Sequence, residues 1–167
     1  MSGSNDLIDF TSVLAARRGL RRGTPATDWY EYGLALESVD PDGAVNAYQR
    51  ALAGRPDLAD AHNNLGRMLH ELAELAAAES HYRLALCVAP DVALYWFNLG
   101  VVVEDQGRTS EAMAAYERAL AIHPAMLDAH YNLARLLEVV GRRANNDLLL
   151  RRAVRHLVRY RALAKAQ

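Results

Sequence analysis

The chain has 167 residues, 51% of them hydrophobic and 23% charged, enough for one compact domain or a short repeat array with a buried core. Its one cysteine, Cys87, excludes an intramolecular disulfide and any cysteine-based metal site. The net charge of −1 hides a segregation: residues 1–24 carry four Arg and two Asp, residues 25–141 carry seven Arg against 17 Asp and Glu, and residues 142–167 carry eight cations against one Asp.

Ten Gly, five Pro and abundant Ala and Leu favour helix. No alternating Val/Ile/Thr run reads as a strand. The N-terminus lacks a charged segment followed by a long apolar run, and no stretch reaches the roughly 20 apolar residues of a membrane span. The expected setting is therefore the cytoplasm, a reducing compartment.

In chain order, residues 1–25 have no clear period and are expected to form a flexible lead with a basic cluster at Arg17, Arg18, Arg21 and Arg22. From Ala26 onward the chain repeats. ADAHNNLGRML begins at Ala59, ALYWFNLGVVV at Ala93 and LDAHYNLARLL at Leu127, each start 34 residues after the last. An earlier copy, TDWYEYGLAL then DGAVNAYQRALAGRPD, is one residue shorter. The loss falls in SVDPDG, whose Asp-Pro and Asp-Gly steps are turn chemistry. The repeats are predicted at 26–58, 59–92, 93–126 and 127–160, with 161–167 ending the last helix.

Eight typed positions recur. The third copy places Trp96, Leu99, Gly100 and Val103 on its first helix, and Ala112, Tyr116, Ala119 and Pro124 on and after its second. The second copy has His62, Leu65, Gly66, Leu69, Ala78, Tyr82, Ala85 and Pro90. The first has Trp29, Tyr32, Gly33, Leu36, Ala44, Tyr48, Ala51 and Pro56. The fourth keeps His130, Leu133, Leu137 and Ala153, and aligns Ala134 with Gly, Asn146 with Ala, Leu150 with the aromatic and Val158 with Pro.

This pattern closely resembles the tetratricopeptide-repeat (TPR) family over about residues 26–160. The resemblance implies an all-α solenoid of about four helix-turn-helix repeats. Small residues sit where paired helices cross, and Pro ends each second helix. No Pro interrupts 145–166, so a C-terminal capping helix is expected to close the stack. Leu149, Leu150, Ala153, Val154 and Leu157 form its apolar stripe, and its Arg residues lie largely off it.

The resemblance also implies a non-catalytic scaffold that binds protein or peptide in a concave groove lined by first helices. The inward position holds Asn64, Asn98 and Asn132, with Glu31 in the first copy. An amide ladder of this kind pairs with a peptide backbone whatever its side chains. Neighbouring groove candidates are Asn63, Arg67, Phe97, Val101, Tyr131, Arg135 and Tyr30, with Phe97, Leu94 and Val101 forming an apolar spot. Positions where chaperone-tail binders of the family place cations hold Tyr30, Leu34, Asn64, Leu94 and Asn98. Glu71, Glu104, Asp105 and Glu138 give an acidic edge, so an extended, not purely acidic partner is expected.

No residue pattern points to catalysis, a cofactor or a metal. The six His lack ligand spacing, and Cys87 is expected to be a buried, inert thiol. The Arg-rich tail could contact nucleic acid, or associate weakly with the acidic body of another copy. The layout, from LIDF through the repeats to RHLVRYRAL, is similar to the TPR half of bacterial regulators with a MerR-type helix-turn-helix. That would make this chain a partner-sensing half.

Overall fold

The computed structural model describes residues 24–166, which form eight α-helices and no strand. They are α1 Ala26–Leu36, α2 Pro41–Gly54, α3 Ala59–Glu71, α4 Leu75–Val88, α5 Ala93–Asp105, α6 Thr109–Ile122, α7 Leu127–Arg143 and α8 Asp147–Ala164. The basic cluster at Arg17–Arg22 lies outside the described residues. The helices pair as four antiparallel hairpins, and each hairpin packs its second helix on the first helix of the next.

The turns inside the hairpins follow local chemistry. Ala73, Gly107 and Asn145 adopt left-handed backbone, with φ of 61°, 77° and 47°. At each, the amide bonds back three residues and the next amide back five: Ala73 to His70 and Glu74 to Leu69, then Gly107 to Glu104 and Arg108 to Val103. This satisfies carbonyls orphaned at the helix end. The shortened first copy turns without a left-handed residue. There Asp40 caps α2, its carboxylate accepting from the Gly43 amide at 3.0 Å, with Pro41 at the first helical position.

The hairpin crossings explain the Gly-to-Tyr pairing. A Cβ on Gly33, Gly66 or Gly100 would stand 2.7, 2.9 or 2.6 Å from the ring of Tyr48, Tyr82 or Tyr116. All three rings are buried and lie among the core Ala and Leu side chains.

The fourth hairpin departs from the expected alignment. α7 has 17 residues and α8 has 18, against 13 and 14 in each of the two hairpins before it. Seven residues have been added, four to the end of α7 and three to the start of α8. Seven residues are close to two helical turns, so the added turns stay in phase with the old ones. Asn146 is consequently the exposed N-cap of α8, bonded to the amides of Leu148 and Leu149, and does not hold the small-residue position. Leu150 packs under Gly141, where a Cβ would meet it at 2.9 Å. The buried small residue is Ala153, and in the same register Leu157 takes the place of the aromatic. The terminal α8 is thus the second helix of the fourth hairpin as well as the end of the stack.

Candidate functional site

The first helices α1, α3, α5 and α7 lie side by side, and α3 touches α5 more closely than any two second helices approach each other. Their face is therefore the concave one. Polar bonds lace it from repeat to repeat: Arg67 to Glu37 at 2.5 Å, Asn98 Nδ2 to Asn63 Oδ1 at 2.8 Å, His70 to Asp105 at 2.7 Å, Tyr95 to Asp60, and Arg135 to Glu104.

The three ladder residues are half-buried, and each has one amide N–H engaged inside the protein. Asn64 donates to the Tyr48 hydroxyl at 3.4 Å and Asn132 to the Tyr116 hydroxyl at 3.3 Å. The Tyr48 hydroxyl in turn donates a hydrogen bond to Glu37 at 2.5 Å, and the Tyr116 hydroxyl one to Glu104 at 2.9 Å. Asn98 departs from this and binds Asn63 instead. Burial raises the Tyr48 hydroxyl pKa far above its ordinary value, reinforced by the Glu37 carboxylate. Burial also pushes Tyr82 and Tyr116 up to about 12, so both remain proton donors at neutral pH.

The other expected groove residues divide. Asn63 is only 5% exposed and lies beneath the ladder, its amide shared between Asn64 and Asn98. Tyr30 rests against Tyr48, and Phe97 against Tyr116, with ring centres 5.8 and 5.7 Å apart. Leu34, Leu94 and Tyr131 remain exposed, Tyr131 with one side against Tyr160. Val101 is half-buried. Arg67 and Arg135 are each held by an acid of the preceding hairpin. The acidic edge is correspondingly engaged: Glu71 pairs with Arg67, Glu104 with Arg135 and Glu138 with Arg142, while Asp105 accepts a hydrogen bond from His70 Nε2. The i,i+4 pairs are legible on a single helix, whereas Arg67–Glu37, His70–Asp105 and Arg135–Glu104 join different hairpins and leave no such spacing.

Two features had no counterpart in the motif reading. His62 and His130 face His81 and His156 across their hairpins, Nδ1 to Nδ1 at 2.9 Å in both. His62 Nε2 and His130 Nε2 bond the carbonyls of Pro56 and Pro124, as the Trp96 indole N–H bonds that of Pro90. A carbonyl can only accept, so Nε2 carries the proton and Nδ1 offers its lone pair to the partner ring. The ring centres stand 5.2 and 5.1 Å apart, which aims the two nitrogens at each other as in a hydrogen bond, not at a shared third point. Among the described residues no group of three or more metal-ligating side chains occurs. Cys87 is exposed, contrary to the expected burial, because Ala85 and Leu86 take the inward positions.

Fold and face together define a class: a stack of helix hairpins whose first helices line one concave side. Three tetratricopeptide-repeat models match the chain, at residues 40–72, 57–125 and 105–155. The chain belongs to the tetratricopeptide-repeat family. No curated protein matches it. Among solved structures it is similar to a crystal structure of MamA, with TM-score 0.83 and 19% identity over 93% of this chain and 88% of that one. MamA from Desulfovibrio magneticus RS-1 gives TM-score 0.80 and 19% identity, covering 95% and 86%. The first TPR of Spaghetti (RPAP3), bound to the HSP90 peptide SRMEEVD, gives 0.68 and 21%, covering 72% and 96%. No helix among the described residues is long and apolar enough to cross a membrane.

Proposed function

We propose that the chain is a non-catalytic scaffold that holds an extended protein segment in its concave face. One observation carries this reading: Asn64, Asn98 and Asn132 stand in register on three successive first helices, each amide oriented by an internal bond. Each keeps a second N–H and a carbonyl lone pair for a ligand backbone. Fixing the amides beforehand lowers the ordering cost of binding. Leu94 and Tyr131 offer apolar contact beside the ladder. The Spaghetti domain, similar in fold, holds a peptide ending in Glu-Glu-Val-Asp. This chain has Tyr30, Leu34, Asn64, Leu94 and Asn98 where cations would grip such a tail, so a partner without a carboxylate cluster is favoured. The test is titration of extended peptides against wild type and the Asn64→Ala/Asn98→Ala/Asn132→Ala variant. Loss of about 1 kcal/mol per amide is expected. Unchanged affinity in a folded triple variant removes the ladder from the account.

A second reading has its own observation. On α8, Arg151, Arg155, Arg159 and Arg161 close no ion pair with a described carboxylate, whereas Arg152 binds Glu117. Arg151, Arg155 and Arg159, spaced four apart, share one face that a polyanion, nucleic acid included, could use. It predicts heparin retention that falls steeply with salt. The role of partner-sensing half of a transcriptional regulator is a further proposal, tested by co-purification with a helix-turn-helix protein.

A further inference from the structure

Under the 34-residue repeat runs a second period of 67 to 68 residues. It joins Trp29 to Trp96, Tyr30 to Phe97, Arg50 to Arg118, His62 to His130 and Arg67 to Arg135. The array is two copies of a two-hairpin unit. One consequence lies off the groove. Where the second and fourth hairpins set His opposite His, the first and third set Trp29 opposite Ala47 and Trp96 opposite Ala115. The paired imidazoles fill that space. Alanine does not, and a cleft opens in each odd hairpin.

The first cleft, about 420 Å³, is lined by Trp29, Tyr32, Leu36 and Arg50 among others. The second, about 330 Å³, has their counterparts Trp96, Leu99, Val103 and Arg118. A carboxylate also lines each cleft, Asp40 in the first and Glu111 in the second, but Asp40 is engaged by the Gly43 amide and Glu111 by Arg108 and Arg83. Trp96 is two residues from Asn98, about 200° around the helix, so the cleft faces away from the ladder. Arg50 lies 4.5 Å over the Trp29 ring and Arg118 5.9 Å from the Trp96 ring centre. Residues 25–141 contain seven Arg. Arg55, Arg67, Arg83, Arg108 and Arg135 close ion pairs there; Arg50 and Arg118 close none with a described carboxylate. In an acidic body, the two cations left without an acid are the two at these clefts.

We propose that the twin clefts are peptide-docking sites, each taking a leucine-sized side chain that sits next to a carboxylate. The apolar floor and indole wall receive the side chain. The guanidinium, held over the indole at Trp29 and beside it at Trp96, presents its N–H edge to the carboxylate. A cleft of this size accommodates one such side chain with its adjoining backbone. The two sites share the indole, the apolar floor and the arginine, so a chain binds two motifs, and a partner carrying the motif twice gains avidity if its linker spans them. None of this depends on the groove.

The molecule carries its own reporters, because Trp29 and Trp96 are its only tryptophans. Single-tryptophan proteins, Trp96→Phe and Trp29→Phe, are titrated with Ac-Asp-Leu-Asp-amide and Ac-Lys-Leu-Lys-amide while indole emission is followed. Ac-Gly-Leu with a free C-terminus distinguishes a terminal carboxylate from a side-chain one. The acidic peptide should shift both reporters saturably, at least fivefold more tightly than the basic one. Arg118→Gln should weaken binding at least fivefold at the Trp96 reporter and leave Trp29 unchanged; Arg50→Gln should do the reverse. Ala114→Phe, at an exposed lining position, should block the second cleft alone. The triple Asn→Ala variant should leave both clefts unaffected. Equal response to the basic peptide, no response by 10 mM, or unchanged affinity in a folded Arg118→Gln protein would overturn the proposal.

Discussion

Replacing Gly100 with Ala should destabilise the array, although the same change favours an isolated helix. The added Cβ would stand 2.6 and 2.7 Å from two carbons of the Tyr116 ring. That ring cannot retreat easily. It is fully buried, Phe97 lies against it with ring centres 5.7 Å apart, and its hydroxyl is tied to Glu104 and Asn132. The helix gains about 1 kcal/mol from losing glycine. Overpacking a rigid site costs about 1–3 kcal/mol, and displacing the hydroxyl from its partners costs about 1 kcal/mol more. The balance is a loss of about 1–3 kcal/mol, read from urea denaturation followed by circular dichroism. The fourth hairpin shows the relief: Ala134 replaces glycine there, and Leu157 stands in the ring's place. Gly100→Ala should therefore cost at least 1 kcal/mol less in a Tyr116→Leu background. Stability equal to or above wild type in the single variant, or no coupling between the two changes, would refute the steric argument.

Other outcomes follow from the same packing. Burial lowers the pKa of His62, His81 and His156, with His130 and the nearby Arg152 and Arg155 adding to the effect on His156. The unfolded chain then takes up protons first, so stability is complete above about pH 6.5 and falls as pH drops below it. Thermal melts from pH 8 to 5 should show this. His62→Trp/His81→Ala with His130→Trp/His156→Ala, which copies the odd hairpins, should flatten the slope. Glu79 behaves similarly at lower pH. Burial opposes its ionisation, but hydrogen bonds from Arg108, Gln106 and Arg83 outweigh that and hold its pKa near about 2. Its stabilisation is present above about pH 4.5 and lost on descending toward pH 2; with Arg108 partly exposed it amounts to about 1–2 kcal/mol. Glu79→Gln should reduce the acid dependence in that window. Ala73, at φ 61°, should accept Gly with a gain of about 1 kcal/mol in chemical denaturation, because Gly107 already serves the equivalent turn.

Much of the architecture was legible before any coordinates. Gly33, Gly66 and Gly100, each followed 15 or 16 residues later by Tyr48, Tyr82 or Tyr116, required close helix crossings, and those crossings are present. The fourth copy misled because its typed residues are sparse. Asn146 and Leu150 fell on the expected spacing, whereas the seven inserted residues moved the true partners to Ala153 and Leu157. The pairing of His130 with His156, matching His62 with His81, is the sequence signal that could have revealed the insertion. The 68-residue period was also visible, but the stronger 34-residue match concealed it.

Sequence alone determined the class of fold, the hairpin order and the position of the Asn ladder, because helix period and crossing size are local demands on single residues. The tertiary structure decided which charges remain available. Glu37, Glu104 and Asp105 meet partners one hairpin away, and a partner in the neighbouring hairpin leaves no mark in local spacing. It likewise decided where space is left beside the paired helices: a cleft lies against Trp29 and against Trp96, which face Ala47 and Ala115, whereas His62 and His130 meet a partner ring. Volume between two helices depends on both at once.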